Sequence, residues 1–200
     1  MTSLLHADAY VLRPLVPTDA RAMAAAVRAS LASLAPWMPW AHAAYDEAEA
    51  RGWIAGCDAA RADGSAYEFG IFRRRGAGES TTDSGGARAD ALDYVGAAGL
   101  NQFNRAHNFC NLGYWVRASA QRQGAGLAAI RALTRFAFDG LGLARVEIVV
   151  ADGNLPSLAL ARRAGAVHEC LARNRLTLHG RPVAAHVLSL VPEAASTSPS

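Results

Sequence analysis

The residues best suited to hold a polyanion are Gln121-Arg122-Gln123-Gly124-Ala125-Gly126. Two glycines one residue apart let the backbone turn tightly and come close to a ligand. Leu127 to Phe138 reads as a helix, so successive N–H groups of the loop converge at a helix N-terminus. The dipole there also favours negative charge. The chemistry is that of a pyrophosphate cradle. The stretch lacks the Lys-Ser/Thr ending of a P-loop and the G-x-G-x-x-G spacing of a dinucleotide fold. Taken alone, the six residues equally suit a helix that begins in a glycine-rich turn.

A second cluster starts at Asn154-Leu155-Pro156-Ser157. Asn154 is a natural N-cap, a role worth about 1 kcal/mol, and Ser157 falls in the first turn behind it. Groups able to take a proton from an amine are Glu147, His107 and His186. Glu147 alternates with Val146 and Ile148 on a strand, which equally allows a structural ion pair. His107 belongs at a solvated hairpin tip and His186 in a packed strand. Cys110 has no base near it in sequence and reads as a buried, inert thiol.

Together these segments resemble the acetyl-CoA-binding core of the GNAT superfamily of N-acetyltransferases, with its Q/R-x-x-G-x-G/A loop and its N-x-x-S helix start. The likeness extends to Pro36-Trp37-Met38-Pro39-Trp40, to Gly113-Tyr114-Trp115 and to Leu178-His179-Gly180-Arg181, features of the RimJ/RimL branch. It covers roughly residues 8 to 191. The resemblance implies acetyl-CoA as co-substrate and no metal. Gln121, Arg122, Gln123, Gly124, Ala125 and Gly126 then hold the pyrophosphate. The backbone of Tyr114, Trp115 and Val116 pairs with the pantetheine arm in a gap between the fourth and fifth strands. Asn154 bonds a pantetheine amide, and Ser157 lies near the thioester sulfur as partner of the leaving thiolate. Tyrosine performs that last task in many relatives, and this chain has none after Tyr114.

The implied acceptor is a protein N-terminal α-amine of ribosomal-protein type. A small amine (aminoglycoside, polyamine or amino acid) is the enzymatic alternative, and a non-catalytic acetyl-CoA sensor is the other reading. Three acids common in the branch are absent, with Asn111, the Asn174-Arg175-Leu176 segment and Ala185 in their places. An α-amine has a pKa near 8, so a weak base and a water relay suffice. Glu147 has the best positional precedent and is taken with Ser157 as catalytic. Trp37, Trp40 and Tyr45 fall where the first helices of the superfamily frame the acceptor. Trp40 beside His42 is the better candidate wall. Late strands of the superfamily often pair across subunits, which makes a homodimer the implied assembly.

The elements that must position these residues follow from pattern. Strands are expected at Tyr10–Leu15, Tyr67–Phe72, Tyr94–Phe103, Phe109–Val116, Arg145–Val150, Val167–Leu171 and Val183–Leu190. Helices are expected after a Thr18 or Asp19 cap through about Leu31, from Asp46 to Arg61, after the glycine loop, and from Asn154 to Gly165. Strand and helix alternate after residue 109, which calls for parallel pairing there. The fold class is α/β, a mixed GNAT sheet of about seven strands with a splayed parallel pair and about four helices. Residues 1–192 form one domain. Residues 73–93 are expected as a flexible loop and 193–200 as a disordered tail.

Bulk properties narrow the function classes. The chain has 200 residues and a net charge of +3, and arginine supplies every Lys/Arg position. Such a balance attracts a polyanionic cofactor but lacks the clustered basic stripes of a nucleic-acid binder. Cys57, Cys110 and Cys170 are widely spaced, forming neither a metal motif nor a disulfide framework, and point to a reducing cytoplasm. No segment is apolar enough to span a bilayer.

Overall fold

The computed structural model describes residues 4–74 and 92–192. Eight strands form one sheet: β1 (Leu5–Ala7), β2 (Tyr10–Arg13), β3 (Tyr67–Arg74), β4 (Leu92–Asn104), β5 (Phe109–Val116), β6 (Arg145–Ala151), β7 (Val167–Leu178) and β8 (Arg181–Leu190). Their spatial order is β1-β2-β3-β4-β5-β6-β8-β7. The extra strand is β1, three residues of which only Ala7 is buried, too short to carry a period. The strand counted fourth from sequence is therefore β5, and the fifth is β6.

The helices are α1 (Ala20–Arg28), α2 (Leu31–Leu34), α3 (Glu47–Asp63), α4 (Ala125–Arg135) and α5 (Leu155–Arg163). The first expected helix is shorter than its pattern. Asp19 sits at the N-cap position of α1, yet its carboxylate turns back to accept from Val16 N and from Arg13. The chain breaks after Arg28 because Ser30, fully buried, donates to Ala26 O at 2.7 Å and accepts from Ala118 N at 2.9 Å. That pair of bonds ties the end of α1 to the connection leading out of β5. Asp46 caps α3 by accepting from Glu49 N, and Gly64 ends it in the left-handed region, φ +71°.

Each face of the sheet has its own core. Leu12, Phe69, Ile71, Leu100, Leu112 and Ile148 pack against Ile130 and Leu133 of α4. On the other face, Phe72, Tyr94 and Trp115 pack against Met23, Val27 and Ile54 of α1 and α3. Burying each such side chain is worth about 1.5–3 kcal/mol.

β5 and β6 are parallel for three residue pairs only, Phe109↔Arg145, Cys110↔Val146 and Asn111↔Glu147. Beyond that point they part. The parallel pairing expected after residue 109 is confined to this pair, because β8 inserts between β6 and β7, antiparallel to both. Arg73, Arg74, Leu92 and Asp93 belong to the β3–β4 ladder, so strand pairing shortens the loop expected over 73–93. Its remainder, 75–91, and the tail 193–200 lie outside the described residues.

Candidate active site

Where β5 parts from β6, the edge of Leu112–Val116 that faces β6 has no strand partner among the described residues, leaving a wedge open to a ligand's backbone-like groups. The glycine loop lies just beyond the end of β5. Gly124 is the N-cap of α4 at φ +94°, and Arg122 also sits at positive φ, +61°. Among the described residues no side chain caps this helix, and its first turn holds no acid, so the leading N–H groups are placed to face an anion. The loop is braced around that opening. Tyr10 Oη donates to Gln123 O at 2.7 Å, Gln123 Nε2 to Ser119 O at 2.9 Å, and Gln121 Nε2 to Val116 O at 3.2 Å. Gly126 is required for packing as well, since a Cβ there would lie 2.7 Å from Leu160 Cδ2 on α5. Uncapped N–H groups and an exposed arginine are a donor set that fits a pyrophosphate.

Asn154 caps α5 as expected, its side chain accepting from Ser157 N at 3.3 Å. Tyr114 adds a contact absent from the sequence reading, which used only its backbone. Its hydroxyl lies 2.9 Å from Ser157 Oγ and donates to Ser157 O at 3.1 Å. Burial pushes the Tyr114 phenol above its ordinary pKa, against the opposing effect of the Ser157 bond. Tyr114 thus stays a neutral hydroxyl that links β5 to the first turn of α5 and orients Ser157 beside the wedge. The two residues are 43 positions apart. Alternation with Leu112 and Val116 was the one sequence signal that Tyr114 faces α4 and α5.

The same alternation turns Asn111, Gly113 and Trp115 to the opposite face. Glu147 lies in register with Asn111 there, but its carboxylate is held by Arg145, with Nε at 3.1 Å and Nη2 at 3.0 Å. Arg145 also binds Glu169 through two bonds of 2.7 and 2.5 Å, and Ser189 donates to Glu169 at 2.7 Å. The Arg145 bond, then the Ser189 bond, hold the Glu169 carboxyl down at about 2. Across Asn111 a second polar strip runs the other way. Asn111 Nδ2 donates to Asn101 Oδ1 at 2.9 Å, and Asn101 Nδ2 donates to Glu68 Oε1 at 3.0 Å. Burial raises the Glu68 carboxyl above its ordinary value, opposed by the Asn101 bond and by Arg61. Glu68 was not singled out by sequence, where it is one acid in a strand-like run.

Trp40 packs edge-on to Trp115 and near Tyr45, with centroids at 6.0 and 5.8 Å, and is 41 % exposed. Trp37 packs instead beside Gly153, at the turn leading into α5. The tip of the β7–β8 hairpin reaches the same neighbourhood, where His179 Nε2 donates to Ala35 O at 2.9 Å. The other base candidates lie elsewhere. His107 is exposed on the β4–β5 turn, and His186 faces His168 and Asp152 on the α5 side. Cys110 is fully buried, and burial, then the nearby Glu147, push its thiol up to about 12. Among the described residues, no group of three or more His, Cys, Asp or Glu could hold a metal, and no helix is long and apolar enough to cross a membrane.

The chain matches the Acetyltransferase (GNAT) domain over residues 10–167. It is 34% identical over 85 residues to a Bacillus subtilis protein named "Putative ribosomal N-acetyltransferase YdaF", a stretch covering 42% of this chain and 46% of that one. The chain thus spans about half the length of that curated relative. A solved structure named as a "putative ribosomal-protein-serine acetyltransferase from Vibrio cholerae" superposes with a TM-score of 0.75 at 33% identity, covering 96% of this chain and 100% of that one. RimL, a ribosomal L7/L12 α-N-protein acetyltransferase solved with coenzyme A, shares the fold at a TM-score of 0.78 and 20% identity, over 94% and 98% of the two chains. A sheet splayed at one parallel pair, a glycine loop at its mouth and a match over most of the chain lead to one conclusion: the chain belongs to the GNAT family of acetyltransferases.

Proposed function

We propose that this enzyme transfers acetyl from acetyl-CoA to the N-terminal α-amine of a protein of the ribosomal type, in the cytoplasm. The observation that carries the reading is the wedge between β5 and β6, with an uncapped helix N-terminus at its mouth and the Tyr114–Ser157 pair on its wall. The names borne by the B. subtilis and V. cholerae relatives support the acceptor class.

In this reading the N–H groups of Gln123, Gly124, Ala125 and Gly126 hold the pyrophosphate, flanked by Gln121 and Arg122. The free edge of Tyr114, Trp115 and Val116 orients the pantetheine arm, and Asn154 adds a bond while capping α5. Acetyl-CoA supplies the activated acyl group as a thioester. A backbone N–H on β5 stabilises negative charge on the carbonyl oxygen, a donor of the kind that lowers a barrier by roughly 3 kcal/mol. Ser157 Oγ, oriented by Tyr114, delivers a proton to the departing sulfur. Glu147, engaged by Arg145, serves this reading by keeping β6 in place against β7 and β8.

The test is release of free CoA from acetyl-CoA against N-terminal peptides, polyamines and aminoglycosides, with Ser157→Ala beside wild type. Peptide-dependent turnover that falls by about 100-fold in the variant is the expected result. Turnover on aminoglycosides or polyamines alone moves the acceptor to small amines. Tight binding of acetyl-CoA with no turnover on any amine makes the chain a sensor and ends the catalytic reading.

A further inference from the structure

We propose that Glu68 is the proton acceptor for the incoming amine, a carboxylate brought to the acceptor face from β3. This inference rests on the acetyl-transfer reading above and names the group that reading leaves unassigned.

Three strands carry the argument. Glu68, Gly99 and Gly113 are register partners across β3, β4 and β5, on the face that also bears Asn101, Asn111 and Trp115. Two adjacent positions on this face therefore have no side chain. A Cβ on Gly99 would stand 1.9 Å from Glu68 Oε2, so the carboxylate occupies the space that any other residue would fill. At Gly113 the space is open: a Cβ there would find only Asn101 Nδ2 and Asn111 Nδ2, each at 4.0 Å. The carboxylate leans over β4 and ends about one strand spacing, roughly 5 Å, from that open floor. Gly113 leads directly into Tyr114 and Trp115, the edge assigned to the pantetheine arm. An ammonium lying on Gly113 is within reach of Glu68 on one side and of the wedge on the other.

The surroundings leave Glu68 without a structural reason for its charge. Oε1 accepts from Asn101, and no ion pair to the carboxylate forms among the described residues. Two groups of α3 face it, Arg61 and Cys57. Arg61 donates to the Glu68 backbone carbonyl and stacks on the Phe69 ring at 4.5 Å. Burial, then the Glu68 charge, push the Cys57 thiol up to about 12, so it stays neutral. On the β5 and β6 side the neighbours are Asn111 and the Arg145-bound Glu147. A mostly buried carboxylate with one amide donor, and with Arg61 bonded to its backbone carbonyl instead of its oxygens, is disfavoured as an anion, the condition that raises its proton affinity.

The step balances. One proton passes from the acceptor ammonium to a Glu68 oxygen, and the freed nitrogen lone pair forms the C–N bond at the thioester carbonyl carbon. The C–S bond breaks with its electron pair on sulfur. The second N–H proton makes up the thiol by way of the Ser157 hydroxyl, and Glu68 returns its proton to water.

The experiment compares wild type with Glu68→Gln on an N-terminal peptide that turns over. Expected are an unchanged acetyl-CoA Kd and a kcat lowered at least 100-fold. The acidic limb of the wild-type kcat/KM profile, set above the ordinary glutamate pKa, is expected to disappear in the variant. A readout independent of activity is the carboxyl carbon of Glu68 in the 13C-labelled wild-type protein. Its NMR titration midpoint lies above the ordinary glutamate value. A Glu68→Gln enzyme within twofold of wild type, or a Glu68 resonance titrating at the ordinary value, overturns the assignment and leaves acetyl transfer standing. No turnover by wild type on any amine overturns acetyl transfer and this assignment together.

Discussion

Two polar strips flank the mouth of the wedge on the face that packs against α1 and α3, and they treat negative charge in opposite ways. On the β6–β8–β7 side, Glu147 and Glu169 share Arg145, with Ser189 adding a further bond. On the β3–β4–β5 side, Glu68 meets two amides in series, Asn101 and Asn111, and its carboxylate forms no ion pair among the described residues, Arg61 acting on it only from a distance. The first arrangement is compensated and holds strands together. The second leaves a carboxylate available to a cation that arrives with the substrate. Position alone does not decide which acid does chemistry, since both strips border Asn111. Pairing does. Neutralising the acid of each strip in turn separates the two roles. Glu68→Gln is expected to lose at least 100-fold in kcat, and Glu147→Gln to stay within about threefold, because a general base contributes roughly 10²–10⁴-fold and an ion-pair member nothing directly. Steady-state turnover on one peptide decides it, and a crippled Glu147→Gln beside an active Glu68→Gln would reverse the roles of the strips.

Gly99 offers a second route to the same distinction. A methyl group added there meets Glu68 Oε2 at 1.9 Å, so the carboxylate must move. Gly99→Ala is expected to lose about 10-fold or more in kcat and about 1–3 kcal/mol of stability, the usual cost of overpacking. Adding Glu68→Ala removes the clash. The double variant should regain its Tm without regaining turnover. Recovery of both would show that the glycine matters only for space.

Tyr114→Phe probes the opposite face of β5 and so marks the limit of the comparison. It deletes the bonds to Ser157 Oγ and Ser157 O. A loss of about 1 kcal/mol in stability is expected, with kcat falling several-fold (roughly 10-fold per 1.4 kcal/mol of barrier). The acidic limb of the pH profile should stay in place, because Tyr114 acts on the thiolate side. A shifted limb would show that the two faces of β5 are coupled.

What could be read in advance divides along a similar line. The glycine loop, the Asn154 cap and the position of Ser157 are local patterns, set by turn and cap chemistry within a few residues, and all three appear where expected. The parallel pair β5–β6 follows from alternation of elements, but the insertion of β8 between β6 and β7 does not, since strand order is a long-range outcome. β1 escaped because three residues carry no period. The helix break at Ser30 escaped because its cause, Ala118, is 88 residues away. The acceptor strip was illegible for the same reason. Glu68, Asn101 and Asn111 come from three strands, and only register places them in line. Glu147 stood out in sequence, and Arg145, its partner two residues earlier, was the visible hint of the ion pair.

The smallest expected effect is on stability, and its sign follows from the two carboxyls' opposite shifts. Glu68 has a folded-state pKa above its unfolded value, so the folded chain binds more protons than the unfolded one between those two pH values. Its contribution to stability therefore declines as pH rises through that window, and the charged form is a burden at neutral pH. Glu68→Gln should accordingly raise Tm at pH 7 by a few degrees, about 2–4 °C for each kcal/mol at this size, with the gain vanishing below the ordinary glutamate pKa. Glu169 runs the other way. Its pKa is lowered to about 2, so its pairing with Arg145 stabilises the fold above the ordinary value and is lost as pH falls toward 2. Because Glu169 is well exposed, Glu169→Gln should lower Tm only slightly at pH 7, and by less still in high salt. Thermal melts of both variants from pH 3 to 8 check the pair of signs. A Glu68→Gln protein less stable than wild type at pH 7 would mean that the carboxylate is compensated after all, and the contrast between the strips would fall with it.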